Sequence, residues 1–271
     1  MSAEVTILVP NYRTPELTRI CLRLLRKHSD PTRIHVIAID NNSGDESTKY
    51  LRSLEWIELI ERPGIPGESG GLSHARALDE AVERVNTPYF LSIHTDTFMR
   101  RDDWLDYLLS HIQGRENVGG VGSWKLESKT PIRRFAKRVE QKVQGWYYDM
   151  VGKTDHKIEG KGRNYLYLRS HCALYRTAPV KEHGLKFCRL EEQRTCGQVL
   201  HKSLEDLGYE MIFLESEHLG KYIDHVNHAT MIINPELSSR GVARPKDLKR
   251  VEHSLKAVNS EAILADSSLD K

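Results

Sequence analysis

The first residues that could do chemistry lie at the end of an apolar run, Tyr89-Phe90-Leu91-Ser92-Ile93, where the chain turns polar at His94-Thr95-Asp96-Thr97. Side chains alternate along an extended chain, so His94 and Asp96 point to one side and Thr95 to the other. An imidazole and a carboxylate aimed together could bind a divalent cation, and the mix of nitrogen and oxygen suits Mn²⁺ or a similar ion. The alternative is a solvated strand end leading into a helix cap. A second group of metal-ligand types comes late, in Asp224-His225-Val226-Asn227-His228, where two histidines stand three apart beside an aspartate.

Three further places carry candidate chemistry. Asp40, opening the polar turn Asp40-Asn41-Asn42-Ser43-Gly44-Asp45, could accept from the imide of a uracil ring or from a ribose hydroxyl; it could equally be a turn-forming aspartate. Gly70-Gly71 just before a helix could let backbone amides approach a phosphate, or be a plain flexible loop. Adjacent acids in Arg189-Leu190-Glu191-Glu192 lead into a helix; they complement its dipole or place one carboxylate in a cleft as a base. Trp124 either stacks on a sugar ring or fills core.

These groups need elements to hold them. Val5–Val9, Ile34–Ile39 and Ile57–Ile60 read as strands, and Tyr89–Ile93 as a fourth. Helices are expected from Pro15 to about His28, Glu46 to Leu54 and Leu72 to Val85, with a glycine-rich loop from Gly64 to Gly71 before the last of them. Such alternation implies a mostly parallel sheet with helices on both faces, an α/β fold whose ligands sit beyond the carboxyl ends of the strands. The polar residues gather at those ends: Pro10-Asn11-Tyr12, Asp40-Asn41-Asn42, the glycine loop and His94-Thr95-Asp96. Asp102-Asp103 is expected to cap a helix from Trp104 to Gln113. Further strands are expected at Val118–Trp124, Tyr165–Leu168, Ala173–Tyr175 and Glu210–Leu214, then a helix from Pro245 to Val258 and a frayed end at 265–271.

From Pro131 to Met150, Ile132, Phe135, Val139, Val143, Trp146 and Tyr147 form one helical stripe beside Arg133, Arg134, Lys137, Arg138 and Lys142. A basic amphipathic helix of this kind can lie in a membrane interface. The alternatives are packing on the domain's own sheet or against a second subunit as a homodimer.

Bulk composition excludes several classes. The 271 residues carry a formal net charge of +2 with 29% charged residues, which argues against a general nucleic-acid binder. No apolar run approaches the roughly 20 residues of a membrane span. The N-terminus runs straight into a strand with no signal-peptide pattern, and Cys21, Cys172, Cys188 and Cys196 lack metal-type spacing, so the expectation is a cytoplasmic protein with free thiols. There is no G-x-x-x-x-G-K-[ST] phosphate loop and no G-x-G-x-x-G after the first strand, which argues against a P-loop nucleotidase and against a dinucleotide enzyme.

In its order of motifs the chain resembles a family-2 glycosyltransferase of the GT-A fold. Val9-Pro10-Asn11-Tyr12 matches the first-strand signature, and Asp40-Asn41-Asn42-Ser43-Gly44-Asp45 the nucleoside-binding turn. Gly71-Leu72-Ser73-His74-Ala75-Arg76 resembles the loop and helix preceding the metal motif, and His94-Thr95-Asp96 falls where the family has Asp-x-Asp. Glu191-Glu192 falls where it has Glu-Asp, while His225 and His228 fall where a late histidine ligates the metal. The resemblance implies a catalytic domain over 1–235, with a nucleotide-sugar half to about 125 and an acceptor half after it, then a helical extension over 236–271. It also implies inverting transfer of a sugar from a nucleotide-diphosphate sugar, UDP- or dTDP-linked, to a glycan or lipid-linked acceptor at the cytoplasmic membrane face, assisted by Mn²⁺ or Mg²⁺. The donor would meet Pro10, Asn11, Tyr12, Asp40, Asn42, Gly71, His74, Arg76, Thr95 and Asp96. The metal would meet Asp96, His94 and His225 or His228, and Glu192, with Glu191 second, would be the base. Two departures stand out: the first acid of Asp-x-Asp is His94, and the base is a glutamate. The rival readings are a nucleotidyltransferase and a catalytically silent sugar-nucleotide-binding subunit.

Overall fold

The computed structural model describes residues 3–126, 150, 165–188, 196–226, 229–234 and 244–271. Glu191, Glu192, His228 and all but the last residue of the amphipathic stretch 131–150 lie outside the described residues. The chain runs β1 (Val5–Asn11), α1 (Pro15–Lys27), β2 (Ile34–Asp40), α2 (Glu46–Ser53), β3 (Glu58–Glu61), α3 (Gly70–Arg84) and β4 (Tyr89–Ile93). Then follow β5 (Thr97–Met99), α4 (Trp104–Leu109), β6 (Val118–Gly122), β7 (Cys172–Arg176), β8 (Glu210–Phe213) and β9 (Ile223–His225).

Seven strands form one sheet in the order β3-β2-β1-β4-β7-β6-β8. β1 pairs in parallel with β2 and β4, β2 with β3 and β6 with β8; β7 alone runs antiparallel, between β4 and β6. The near-continuous apolar strands follow from burial on both faces. Ile7, Val9, Val36 and Ala38 face a core shared with α1, α2 and α4, whereas Leu8, Ile37 and Ile39 face one shared with α3. Pro10 is tolerated in the central strand because β4 pairs only with Val5 to Leu8, so the missing N–H falls beyond the last paired residue on that side. Gly122 lets β6 lie close against β7: a Cβ there would lie 2.5 Å from the Cys172 carbonyl oxygen. Five further helices lie at Thr177–Glu182, Gln198–Asp206, Ser216–Leu219, Ala229–Ile233 and Pro245–Ala257, and a sixth at Ser260–Ala265.

Several expectations are corrected. Thr97–Met99 is a strand, pairing antiparallel with β9 in a small second sheet with Thr97 opposite His225. Tyr165–Leu168 is not a strand: Leu168 donates its N–H to Nδ1 of His201 at 3.2 Å instead of to a ladder partner. The helix expected to Gln113 is α4, ending at Leu109, and the Asp103 carboxylate caps nothing because both oxygens accept from Arg101 at 2.8 Å. The expected frayed end is a 3₁₀ helix, Ser267–Asp270, docked on α1. Buried Arg23 donates to both carboxylate oxygens of Asp270, at 2.8 and 2.5 Å, and to the carbonyls of Ile263 and Leu264; the Tyr50 hydroxyl donates to Asp270 at 2.7 Å.

Candidate active site

The parallel register sets Asn11, the last residue of β1, beside Asp40, the last of β2. The Asn11 amide donates to Asp40 at 2.7 Å and to the Ser47 hydroxyl at 2.9 Å. Asp40 also accepts from the Ser43 hydroxyl at 2.5 Å, the Ser43 N–H at 3.2 Å and the Thr48 hydroxyl at 2.9 Å. Its buried carboxylate thus holds the turn in shape. Asn42 sits in that turn with φ +58°, a left-handed conformation that asparagine tolerates, with Gly64 packed over its amide. Tyr12 lies at the turn's edge under the Arg13 guanidinium, 5.2 Å from the ring centre.

From the other side the turn is tied to α3 by a residue that sequence reasoning missed. Arg62, buried just past β3, donates to the Asn41 side chain at 2.6 Å and to the Ser73 carbonyl at 3.0 Å. Glu68 lies 3.6 Å from Arg62 and 2.8 Å from Arg76, so the Arg76 guanidinium is engaged within the glycine loop. The α3 helix begins two residues earlier than expected, at Gly70, and Ser69 caps it by accepting from the Leu72 N–H at 3.3 Å. A Cβ at Gly70 or Gly71 would meet nothing within 4 Å, so the first turn of this fifteen-residue helix opens onto free space with its amides and positive dipole end.

His94, Asp96 and His225 come together because a hydrogen bond from the Thr97 N–H to the His94 carbonyl closes the turn after β4, and β9 lies beside β5. The Val226 N–H donates to the Asp96 carbonyl at 2.9 Å and the Ala229 N–H to Asp96 Oδ2 at 3.0 Å. One potential ligand atom from each of the three residues lies within 4.8 Å of the others. Asp96 Oδ1 is 3.2 Å from His225 Nε2 and 3.8 Å from His94 Nδ1. The shorter approach has an ion-pair distance without hydrogen-bond angles, and among the described residues neither Asp96 Oδ1 nor His225 Nε2 has a hydrogen-bond partner. Leaving a buried polar atom unpaired costs about 1–3 kcal/mol, and two such atoms facing each other fit a cation placed between them. Thr95 points away, its hydroxyl 3.1 Å from that of Thr14.

Three neighbours complete the cluster. His74 faces neither the turn nor the open end of α3; its Nε2 meets the Ser170 hydroxyl at 3.0 Å, and its ring stands edge-on to His94 at 4.8 Å. The same hydroxyl meets His94 Nε2 at 3.0 Å. His171 stacks on His225 with ring centres 4.4 Å apart and bonds through Nε2 to the Ser123 hydroxyl at 3.0 Å. Burial, with His74 nearby, keeps the His94 imidazole well below the usual range, and burial with His225 nearby does the same for His171. Burial alone pushes His74 down to about 4. Burial favours protonated Asp96, but the neighbouring His225 and His94 and the hydrogen bond from the Ala229 N–H together outweigh it and hold the carboxyl below its usual range. An ionised carboxylate and an imidazole held unprotonated, as at His94, are forms that ligate metals.

Ser170 and His171 were not read as site residues. They arrive through the antiparallel pairing of β7 with β4, which sets Cys172 opposite Ile93, and strand periodicity carries no sign of that return. Trp124 is half-buried, edge-on to Tyr167 and 4.9 Å under the Arg169 guanidinium.

A mostly parallel seven-stranded sheet with helices around it and a buried acidic turn beyond the fourth strand defines a GT-A type fold. The glycosyl transferase family 2 model matches residues 6–184, and the chain belongs to that family. A curated relative, the teichoic acid poly(glycerol phosphate) polymerase of Staphylococcus epidermidis, is 25% identical over 194 residues, which is 68% of this chain and 23% of the relative. The chain therefore spans about a quarter of that relative's length. Among solved structures, the mannosyltransferase PcManGT from Pyrobaculum calidifontis, in complex with GDP-Man and Mn²⁺, aligns at a TM-score of 0.55 with 17% identity, over 98% of this chain and 79% of that one. S. aureus TarS 1-349 aligns at 0.52 with 15% identity, over 94% of this chain and 65% of that one. At these identities both likenesses establish the fold. Among the described residues no helix is long and apolar enough to cross a membrane.

Proposed function

We propose that the protein transfers a sugar from a nucleoside-diphosphate sugar to a hydroxyl of a glycan or lipid-linked glycan, in a single displacement that inverts the anomeric centre. The observation that carries this reading is the His94–Asp96–His225 constellation, set beyond the same sheet edge as the Asn11–Asp40 turn and the open N-terminus of α3. The turn from Asp40 to Asp45, with Pro10, Asn11, Tyr12 and Asn42, shapes the nucleoside pocket, and Asp40 acts there by fixing the loop. Gly71 leaves room for the diphosphate at the helix end. Arg76 and Arg62 hold the loop through Glu68. Thr95 and His74 steady the two ends of the turn that presents Asp96.

His94, Asp96 and His225 would hold a divalent cation, with His228 a further candidate; when bound, the ion offsets negative charge on the diphosphate leaving group. The known complex of PcManGT with GDP-Man and Mn²⁺ supports both the donor class and the metal. The teichoic acid poly(glycerol phosphate) polymerase relative supports an acceptor of the teichoic-acid kind. Glu192 would take the proton from the acceptor hydroxyl, with Glu191 the second choice. Incubating the protein with UDP-, dTDP- and GDP-sugars and glycan acceptors tests the reading. Glu192→Gln should lower the transfer rate by roughly 10²–10⁴ while leaving donor affinity in place. Full transfer by both Glu192→Gln and Glu191→Gln would place the base elsewhere.

A further inference from the structure

We infer that the His94–Asp96–His225 face selects a divalent cation of intermediate softness, of the Mn²⁺, Fe²⁺, Co²⁺ and Zn²⁺ kind, over Mg²⁺ and Ca²⁺, and that Ser170, backed by His74, is the positioning residue that makes His94 a ligand. The inference rests on the metal-dependent reading above and narrows it.

The donor set is two imidazole nitrogens and one carboxylate oxygen on one side of the site. Mg²⁺ and Ca²⁺ prefer oxygen ligands throughout, and Mg²⁺ gives up its waters reluctantly. Imidazole nitrogen suits the first-row transition ions and zinc, and two histidines with one carboxylate leave coordination positions open for a diphosphate. His94 Nδ1 is as many bonds from the backbone as an aspartate oxygen would be. It faces Asp96 Oδ1 at 3.8 Å, so the imidazole presents nitrogen where a carboxylate at position 94 would present oxygen.

A neutral imidazole ligates through Nδ1 only if its proton is on Nε2. His94 Nε2 meets the Ser170 hydroxyl at 3.0 Å, and the same hydroxyl meets His74 Nε2 at 3.0 Å. A hydroxyl has one proton to donate. If Ser170 donates it to His74, the oxygen accepts from His94 Nε2–H and frees His94 Nδ1 for the metal. This is the second-shell bond that fixes the tautomer of a ligating histidine. On the opposite side, His171 stacks on His225 and holds that ring's plane.

The test is direct metal binding to the whole protein by calorimetry, alone and with UDP or GDP, combined with pulsed electron paramagnetic resonance on Mn²⁺. We expect Mn²⁺ and Zn²⁺ to bind at least about tenfold more tightly than Mg²⁺, and the Mn²⁺ signal to carry ¹⁴N modulation from imidazole. His94→Asp should narrow the Mn²⁺-to-Mg²⁺ preference and weaken the modulation. Ser170→Ala should lower Mn²⁺ affinity roughly 10–100-fold with little change in melting temperature, and Ser170→Thr should restore it. Equal Mg²⁺ and Mn²⁺ affinity, bound Mn²⁺ without ¹⁴N modulation, or no metal binding under any of these conditions would overturn the inference. Imidazole-bound Mn²⁺ without sugar transfer to any acceptor would instead overturn the proposed function and leave the inference standing.

Discussion

Asp96 and His201 show how single buried groups set what this protein can do. Asp96 spends one carboxylate oxygen on the Ala229 N–H and keeps the other for the cluster, so its position is fixed while its chemistry stays available. His201 is buried far from that cluster and accepts the Leu168 N–H through Nδ1. Burial, with Lys202 a smaller cause, holds its pKa down at about 4 against an ordinary 6.5. The unfolded chain takes up this proton as pH falls through 6.5, whereas the folded chain resists until about 4. The stability it contributes is therefore fully present above about 6.5 and is lost as pH drops toward 4. Between pH 7 and pH 5 the loss from this one group is on the order of 2 kcal/mol. His201→Asn keeps an acceptor near Nδ1 and cannot titrate; its melting temperature should fall less steeply over that range than the parent's. Parallel slopes would remove His201 from the acid response. At this scale the sequence disclosed residue types more readily than their company. His94, Asp96 and His225 declared themselves by chemistry, because imidazole and carboxylate at a strand end are uncommon neighbours. Ser170, His171 and Arg62 did not, because each gains its role from a partner that only the folded chain brings close.

At the scale of elements, the C-terminal segment packs on α1 and α2. Pro245–Ala257 and Ser260–Ala265 add Val251 and Ile263 to the core under α1, and Asp270 closes over Arg23 and Tyr50. Asp270→Ala would leave the buried Arg23 guanidinium without its carboxylate, with the carbonyls of Ile263 and Leu264 and the neighbouring Tyr50 hydroxyl as its partners among the described residues. We expect a loss of roughly 3 kcal/mol in unfolding free energy, read by denaturant melting, with donor affinity little changed. A loss near zero would mean that the terminal 3₁₀ helix rests on the fold without bracing it. The polar composition of 265–271 concealed this contact, since the partner stands 247 residues away. The first four strands, in contrast, were legible because burial on both faces leaves an unbroken apolar run, and the helices between them show one apolar face each. β5, β9 and the antiparallel β7 were harder: two are three residues long, and no local pattern tells which way a strand runs.

For the whole molecule, the sheet supplies a rigid edge on which two turns and one helix end converge, and the proposed function makes that edge the place of sugar transfer. Where the acceptor comes from is a separate proposal. If it is lipid-linked, the basic and apolar residues that the sequence carries over 131–150 would suit contact with an anionic surface, where each Lys or Arg contributes about 1 kcal/mol. Co-sedimentation with anionic liposomes should then fall with salt and with Arg133, Arg134, Lys137 and Arg138 changed to Glu; no binding at low salt would reject a membrane role for the stretch. The central claim, that Asp96 and its histidines make sugar transfer metal-dependent, is tested most directly by nucleoside diphosphate release from a panel of nucleotide sugars. The account predicts release in the presence of Mn²⁺ that is abolished by excess chelator, restored by added Mn²⁺, and reduced by orders of magnitude in a folded Asp96→Ala variant. Undiminished release in chelator, or from Asp96→Ala, would contradict it.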